Sequence, residues 1–199
     1  MSVKPCVSAF IQAGGKSQRM GQNKALLNLA GSKLIEHPIK SFSGVTSYIS
    51  IITNTPELYK DLSLNCYPDI YLDCGPLGGI YSALHYSTTD YILTLACDMP
   101  FVSSELLLFL IEEGKNYQVC VPMDKDEKLQ PLCALYHKSC QESILELLDK
   151  KKFAPKNLFP LVKTKVVPFK DFASLKGAER FFININTPMD FDSLNHYFS

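Results

Sequence analysis

The chain has 199 residues, and we expect residues 1–199 to form a single domain. Its 46% hydrophobic and 20% charged residues exclude an intrinsically disordered chain. Lys plus Arg equal Asp plus Glu at 20 each, so the net charge is zero and neither nucleic acid nor a membrane surface is an expected partner.

In chain order, short apolar runs typical of buried strands alternate with segments of helical periodicity. The predicted strands are 7–11, 48–53, 91–96, 118–122, 132–136, 163–168 and 180–185. The predicted helices are 34–42, 56–62, 81–86 after a turn at Gly75-Pro76, one capped by Ser103, 139–151, and a last one beginning at Thr187. This alternation indicates βαβ units, in which helices cover both faces of a mostly parallel sheet.

The loop after the first predicted strand combines paired glycines with cations. Gly14 and Gly15 let the backbone turn tightly and bring N–H groups close to an anion. Arg19 can bind phosphate oxygens with two parallel hydrogen bonds, and Lys24 adds a compact point charge. The loop is not a Walker A motif. It is typical of triphosphate binding, although a plain strand-to-helix turn with surface cations would give the same composition.

An acidic residue, Asp98, follows the central predicted strand, 91–96. Ligands of open α/β sheets bind beyond the carboxyl ends of the strands. Magnesium prefers one or two carboxylates together with phosphate oxygens and water, so Asp98 is a candidate ligand. An Asp that caps the turn into the next helix is the alternative interpretation.

The loop 68–80 contains two acids and a second glycine-rich turn. Small residues there would let a flat base lie against the backbone. Guanine presents N1–H and N2–H donors, which a carboxylate such as Asp69 can accept. For Asp69 or Asp73 taken alone, an ordinary Asx turn explains the residue as well.

The location of the chain is predicted from what the sequence lacks. Met1–Cys6 has no apolar core of a signal peptide, and no stretch approaches the roughly 18 apolar residues of a membrane-spanning helix. Seven scattered cysteines without a C-x-x-C pair are typical of reduced thiols. We therefore expect a cytoplasmic protein.

Five segments, in order along nearly the whole chain, closely resemble the signature of the molybdenum cofactor guanylyltransferases (MobA). They are Ala13-Gly14-Gly15-Lys16-Ser17-x-Arg19-Met20-Gly21-x-x-Lys24-Ala25-Leu26-Leu27, Gly75-Pro76-Leu77-x-Gly79-Ile80, Cys97-Asp98-Met99-Pro100-Phe101, Gln130-Pro131-Leu132 and Asn184-Ile185-Asn186-Thr187-Pro188-x-Asp190. Each motif alone is modest, but five in order at this spacing make a specific match.

The resemblance implies a Rossmann-like, three-layer α/β/α nucleotidyltransferase fold. It implies an enzyme that uses Mg²⁺ and transfers GMP from GTP to the terminal phosphate of molybdenum-molybdopterin, releasing pyrophosphate. Its partners would be GTP, the molybdopterin and the enzymes or chaperones that receive the product.

The resemblance also assigns roles to residues of this chain. Lys24, Arg19 and Asp98 are the implied catalytic residues, and Asp98 is the implied metal ligand. The implied nucleotide and acceptor contacts are Gln12, Ala13, Gly14, Gly15, Lys24, Asn54, Asp69, Gly79, Asp98, Gln130, Asn184 and Asn186.

Two positions depart from the family pattern. Asn23 stands where the family usually has Asp, so a structural role is preserved more safely than an electrostatic one. Gln12 stands where the family usually has Leu and is expected beside the base, which bears on the choice of nucleotide. The alternatives are transfer of another nucleotide, as in the molybdopterin cytidylyltransferases, transfer to a sugar phosphate or methylerythritol phosphate, and a non-catalytic nucleotide-binding protein that delivers cofactor.

Overall fold

The computed structural model describes residues 6–14 and 23–185. The strands are β1 (Val7–Gln12), β2 (Asn28–Leu29), β3 (Ser32–Lys33), β4 (Ile49–Ile52), β5 (Asn65–Tyr67), β6 (Tyr91–Ala96), β7 (Val119–Pro122), β8 (Cys133–His137) and β9 (Thr164–Val167). The α-helices are α1 (Glu36–Ser43), α2 (Gly75–Tyr86), α3 (Ser104–Gly114) and α4 (Gln141–Asp149). Short 3-10 helices fill several connections.

Seven strands form one sheet in the order β5-β4-β1-β6-β8-β7-β9. Every neighbouring pair that does not include β8 is parallel, and β8 runs antiparallel to both β6 and β7. The carboxyl ends of β1, β4, β5, β6, β7 and β9 therefore share one edge of the sheet. The predicted mostly parallel α/β sheet is confirmed.

Helices cover both faces of this sheet. On one face, Phe42 of α1 and Leu107 of α3 pack in a core with the odd-numbered residues of β1. On the other face, Ile80 of α2 and Ile144 of α4 pack with Phe10 of β1. Each such side chain contributes roughly 1.5–3 kcal/mol when it is fully buried. The result is the predicted three-layer α/β/α arrangement.

Most predicted elements occur within one or two residues of the expected positions. Ser103 caps α3, because its side chain accepts a hydrogen bond from the Leu106 amide, as predicted. Helix α2, in contrast, already begins at Gly75 instead of after a turn at Gly75-Pro76. A proline in the first turn of a helix loses no intrahelical hydrogen bond, so Pro76 fits into the first turn of α2.

The strand predicted at 180–185 is wrong. A 3-10 helix, Ala178–Arg180, is followed by coil. Phe181 and Ile185 are buried against different clusters, and the Ile185 amide donates to the Asp98 carbonyl at 3.1 Å. The apolar residues of this segment pack into the core from a coil and do not belong to a strand. The helix predicted from Thr187 lies outside the described residues.

The sequence did not predict β5 or the small hairpin of β2 and β3. The hairpin turn places Ala30 and Gly31 at φ values of 53° and 85°. Two consecutive positive φ values are typical of a tight hairpin turn, where glycine is favoured. In the described part of the chain, no helix has the length and apolar character needed to cross a membrane. All seven cysteines are free thiols.

Candidate active site

The loop that follows β1 lies directly beside the residue that follows β6. The Cys97 amide donates to the Gln12 carbonyl at 3.2 Å, which extends the pairing of β1 with β6 beyond the last strand residue. The Ala13 amide donates to the Ile52 carbonyl at 3.0 Å on the other side. The glycine loop and Asp98 therefore share one edge of the sheet.

Lys24 and Asp98 form an ion pair at this edge. Lys24 Nζ lies 2.9 Å from Asp98 Oδ2, and only 8% of the lysine surface is exposed. The Asp98 side chain is 24% exposed, so the carboxylate remains accessible from solvent. The Lys24 ammonium and a carboxylate that could bind a metal cation, that of Asp98, thus lie side by side where the strands end.

Asn23 holds the start of the Lys24 segment. Its Oδ1 accepts from the Ala25 amide at 3.0 Å, which caps the 3-10 helix Lys24–Leu26. Its Nδ2 donates to Tyr59 Oη at 3.0 Å. The structural role expected for Asn23 is present in this cap, and no charge is needed for it.

Tyr59 was not singled out in the sequence. The side chain is 1% exposed, and its hydroxyl also donates to the Ala13 carbonyl at 3.5 Å. Burial is the main cause that raises the pKa of Tyr59, so the phenol stays neutral. The hydroxyl connects the two ends of the glycine loop, at Ala13 and Asn23. A tyrosine within a short helical segment gives no sequence signal for such a contact.

Asp69 and Asn54 form a second polar pair at the ends of β5 and β4. Asn54 Nδ2 donates to Asp69 Oδ2 at 3.0 Å, and the Asp69 amide donates to Asn54 Oδ1 at 2.9 Å. Burial raises the pKa of Asp69, and the hydrogen bond from Asn54 partly opposes this shift. A Cβ on Gly14 would stand 3.5 Å from Asp69 Oδ2, so this carboxylate faces the glycine loop.

Gln12 and Gly79 are in contact. A Cβ added to Gly79 would overlap Gln12 Oε1, so only glycine leaves room for this side chain over α2. Gln12 Nε2 is covered from solvent and has no hydrogen-bond partner in the described part of the chain. The structure thus brings Gln12, Gly14, Asp69 and Gly79 to one side of the β1 exit.

Of the residues predicted on the acceptor side, Gln130 contacts Asp124, and Asn184 adjoins a residue whose amide is bonded to Asp98. Gln130 Nε2 donates to Asp124 Oδ2 at 2.7 Å, so this amide holds the turn after β7. Asn184 is exposed, and the hydrogen bond of its neighbour Ile185 to Asp98 brings this stretch of backbone to the metal-candidate residue. Gly15, Arg19 and Asn186 lie outside the described residues.

The residues present suit a metal that is largely held by its substrate. In residues 6–14 and 23–185 no cluster of three His, Cys, Asp or Glu side chains could hold a metal ion. Mg²⁺ needs only one or two protein carboxylates when phosphates and water complete its shell, and Asp98 offers one partly exposed carboxylate. The donor set therefore fits Mg²⁺ bound with a nucleotide.

The thiol beside Asp98 is not suited to nucleophilic attack. Burial is the main cause that raises the pKa of Cys97 to about 12; the Asp98 charge adds to it and Lys24 opposes it. A neutral thiol is a poor nucleophile. The arrangement favours direct transfer between two bound substrates.

Fold and site together define a nucleotidyltransferase of the α/β/α class. The family model for the MobA-like NTP transferase domain matches residues 9–159. A protein of Carboxydothermus hydrogenoformans named "Probable molybdenum cofactor guanylyltransferase" is 38% identical over 97% of both chains. One of the same name from Clostridium perfringens is 41% identical over 94% of this chain and 95% of its own.

A solved structure supports the fold separately. The crystal structure of molybdopterin-guanine dinucleotide biosynthesis protein A from Archaeoglobus fulgidus superposes with a TM-score of 0.81 at 23% identity, covering 96% of this chain and 98% of that one. At this identity the likeness concerns the fold alone. From the family model and the two relatives, the chain belongs to the MobA-like NTP transferase family.

Proposed function

We propose that this chain transfers GMP from GTP to the terminal phosphate of molybdenum-molybdopterin, which forms the guanine dinucleotide form of the cofactor and releases pyrophosphate. The observation that carries the proposal is the Lys24–Asp98 pair, 2.9 Å apart, at the sheet edge that also holds Gly14 and Asp69. The names of the two relatives described above supply the base and the acceptor.

Asp69 is the proposed acceptor for the guanine edge. Its carboxylate is half-buried and is fixed by Asn54, so its direction is set before the base arrives. Guanine offers two adjacent N–H donors at N1 and N2, and hydrogen bonds to an ionised acceptor are the stronger kind. Gly14, which is exposed, leaves the backbone beside it uncovered for a flat ring.

Lys24 is the proposed ligand of the triphosphate. Its ammonium sits where the strand ends meet, and a triphosphate oxygen can replace the Asp98 carboxylate as its partner. Asp98 would hold Mg²⁺, which when bound neutralises phosphate charge and aligns the α-phosphate. Arg19 and Gly15 stay predicted phosphate contacts on the strength of the resemblance.

The chemistry is one displacement at phosphorus. An oxygen of the acceptor's terminal phosphate bonds to the α-phosphorus of GTP, the bond from that phosphorus to the bridging oxygen breaks, and pyrophosphate leaves with the electron pair. The acceptor is already an anion near neutral pH, so no strong general base is required. The protein aligns two anions and offsets their repulsion.

Gln130, Asn184 and Asn186 are the proposed acceptor-side residues. Gln130 acts on the acceptor through the turn that it holds with Asp124. Asn184 is exposed, and the backbone amide of its neighbour Ile185 donates a hydrogen bond to the Asp98 carbonyl. We propose a cytoplasmic setting, with molybdopterin-inserting enzymes or chaperones as the partners that receive the product.

The test is a panel of GTP, CTP, ATP and UTP with Mg²⁺ and molybdenum-molybdopterin, in which pyrophosphate release is followed. We expect release with GTP and the molybdopterin together, and at most a small fraction of that rate with any other triphosphate. Preference for CTP would identify a cytidylyltransferase. Release with methylerythritol phosphate or a sugar phosphate instead would identify another acceptor class, and GTP binding without any release would indicate a delivery protein.

A further inference from the structure

The side-chain amide of Gln12 has no hydrogen bond within the described part of the chain. Its Nε2 is covered and without a partner, and its Oε1 lies against the Cα of Gly79. A covered amide N–H without a partner costs folding free energy, and such groups are rare unless they serve a function. The amide therefore has a donor to give to a partner that is not among the described residues.

The position of Gln12 limits what that partner can be. Gln12 is the last residue of β1, and the Ala13 amide still pairs with Ile52, so the chain remains extended here. Side chains two residues apart in an extended chain point to the same side. Gln12 and the uncovered Cα of Gly14, which faces the Asp69 carboxylate, thus border one opening.

The amide can present its donor to this opening. Rotation about the last torsion of a glutamine exchanges its oxygen and nitrogen over a broad, roughly two-fold profile. This rotation breaks no hydrogen bond of Gln12, because the amide makes none with the described residues. The end beside Gly79 can therefore carry the NH₂ group when a ligand oxygen is there to accept.

We propose that Gln12 reads the nucleobase: its NH₂ group donates to O6 of guanine while Asp69 accepts from N1–H and N2–H. This inference rests on the proposed function. A carboxylate at N1 and N2 leaves O6, on the same edge of the base, without a donor, and Gln12 supplies one. An apolar side chain at position 12 could not donate to O6, so the contact would be a determinant of specificity that depends on this glutamine.

The test compares two nucleotides that differ at O6. Calorimetry with Mg²⁺ measures the affinity of GTP and of 2-aminopurine riboside triphosphate, which keeps the N2 amine but lacks both O6 and the N1 proton. Because the proposed Gln12 contact is to O6 alone, the change that a Gln12 substitution causes in each affinity isolates that contact. We expect the wild-type protein to favour GTP. Gln12→Leu should weaken GTP binding roughly threefold to tenfold and leave the analogue unchanged, as for the loss of one neutral hydrogen bond.

A second variant and a control keep the result interpretable. Gly79→Ala puts a methyl group where the Gln12 amide end lies, so it should cause the same selective loss without altering Gln12 itself. Gln141→Leu, at the start of α4 near the other edge of the sheet, should change neither affinity. A thermal melt without nucleotide should show Gln12→Leu at least as stable as wild type, because the unpaired amide is gone.

Equal loss of both nucleotides, or no loss of either, in Gln12→Leu and Gly79→Ala would overturn the role of Gln12 and leave guanylyl transfer standing. A wild-type protein that binds CTP more tightly than GTP would overturn both the inference and the proposed function. If the wild-type protein prefers GTP to CTP, but Gln12→Leu discriminates between GTP and the analogue as the wild type does, the inference fails and the proposed function stands.

Discussion

The ammonium of Lys24 and the carboxylate of Asp98 lie 2.9 Å apart although 74 residues separate them in the sequence. Each comes from the loop that follows a strand, β1 and β6, and these two strands are parallel neighbours. The pair keeps a nearly buried cation compensated while no nucleotide is bound. When a nucleotide binds, a substrate phosphate would replace Asp98 as the partner of Lys24, and Mg²⁺ would replace Lys24 as the partner of Asp98.

Removal of either member of this pair should abolish most of the turnover. We expect Lys24→Ala and Asp98→Asn each to lower kcat for pyrophosphate release by about 10²–10³-fold, since each would remove charge stabilisation from the transition state. Asparagine at 98 keeps an acceptor for Lys24, so folding is preserved. Lys33→Ala, which removes an exposed 3.6 Å pair with Asp61, serves as the control and should be near normal.

Near-normal kcat in Lys24→Ala or Asp98→Asn would remove that residue from the mechanism. A thermal melt of each variant checks that a low rate does not reflect loss of the fold.

Asp69→Asn should stabilise the protein without nucleotide and weaken GTP binding. Burial raises the pKa of Asp69 above its ordinary value of 3.8, so the folded state prefers the neutral carboxyl. The stability that this group contributes is complete below the unfolded pKa and is lost as pH rises through the folded pKa. The melting temperature of the variant minus that of wild type should therefore grow as the pH rises above about 4 and should level off once the pH is above the folded pKa.

In the same variant the loss of the anionic acceptor should lower GTP affinity by about ten- to hundredfold. Calorimetry at neutral pH measures this. A variant that melts lower than wild type at every pH, with unaltered GTP affinity, would assign Asp69 to structure alone.

Tyr59→Phe should slow catalysis although the Tyr59 side chain is buried. The change deletes the hydroxyl that accepts from Asn23 and donates to Ala13, while the buried ring is retained. Because Lys24 would then be less well positioned, we expect kcat to fall about threefold to tenfold with little change in KM, in line with the loss of one hydrogen bond.

Tyr91→Phe provides the matched control for Tyr59. Its hydroxyl donates to the Lys115 and Tyr117 carbonyls at 3.0 and 3.1 Å, at the amino end of β6. This variant should lose a comparable amount of stability and no activity. Equal effects of both substitutions on kcat would reduce the role of Tyr59 to general stability.

Thiol labelling should report the two cores separately. Burial is the main cause that raises the pKa of Cys120 and of Cys140 to about 12, and these residues lie in the cores on opposite faces of the sheet. Near pH 8 the exposed Cys6 should react first with a thiol reagent, and the other two only as the protein unfolds. Peptide mapping gives the order, and fast native labelling of either buried thiol would contradict the packing.

Local patterns explain why so much of the fold could be predicted. The continuous apolar run 91–96 corresponds to β6, and the Ser103 cap corresponds to the start of α3. The placement of Asp98 beside the glycine loop followed from the rule that parallel strands end at one edge. These predictions depend only on local sequence patterns and on one topological rule.

Features that depend on distant contacts were not predictable. The direction of β8 is one, because a strand that is buried on both faces has the same apolar pattern whichever way it runs. Tyr59 and the Asp124–Gln130 contact are others, since a hydroxyl or an amide gives no pattern that names its partner. At 180–185 the apolar spacing was real, but the residues pack as coil.

The most direct test of the central claim is a crystal structure with a non-hydrolysable GTP analogue and Mn²⁺, with the metal located by its anomalous signal. We expect one metal ion at a carboxylate oxygen of Asp98, about 2.0–2.2 Å away as for a hard divalent ion, with Lys24 Nζ turned to a phosphate oxygen. A nucleotide bound elsewhere on the molecule, or a metal ion distant from Asp98 with the Lys24–Asp98 pair intact, would contradict the account.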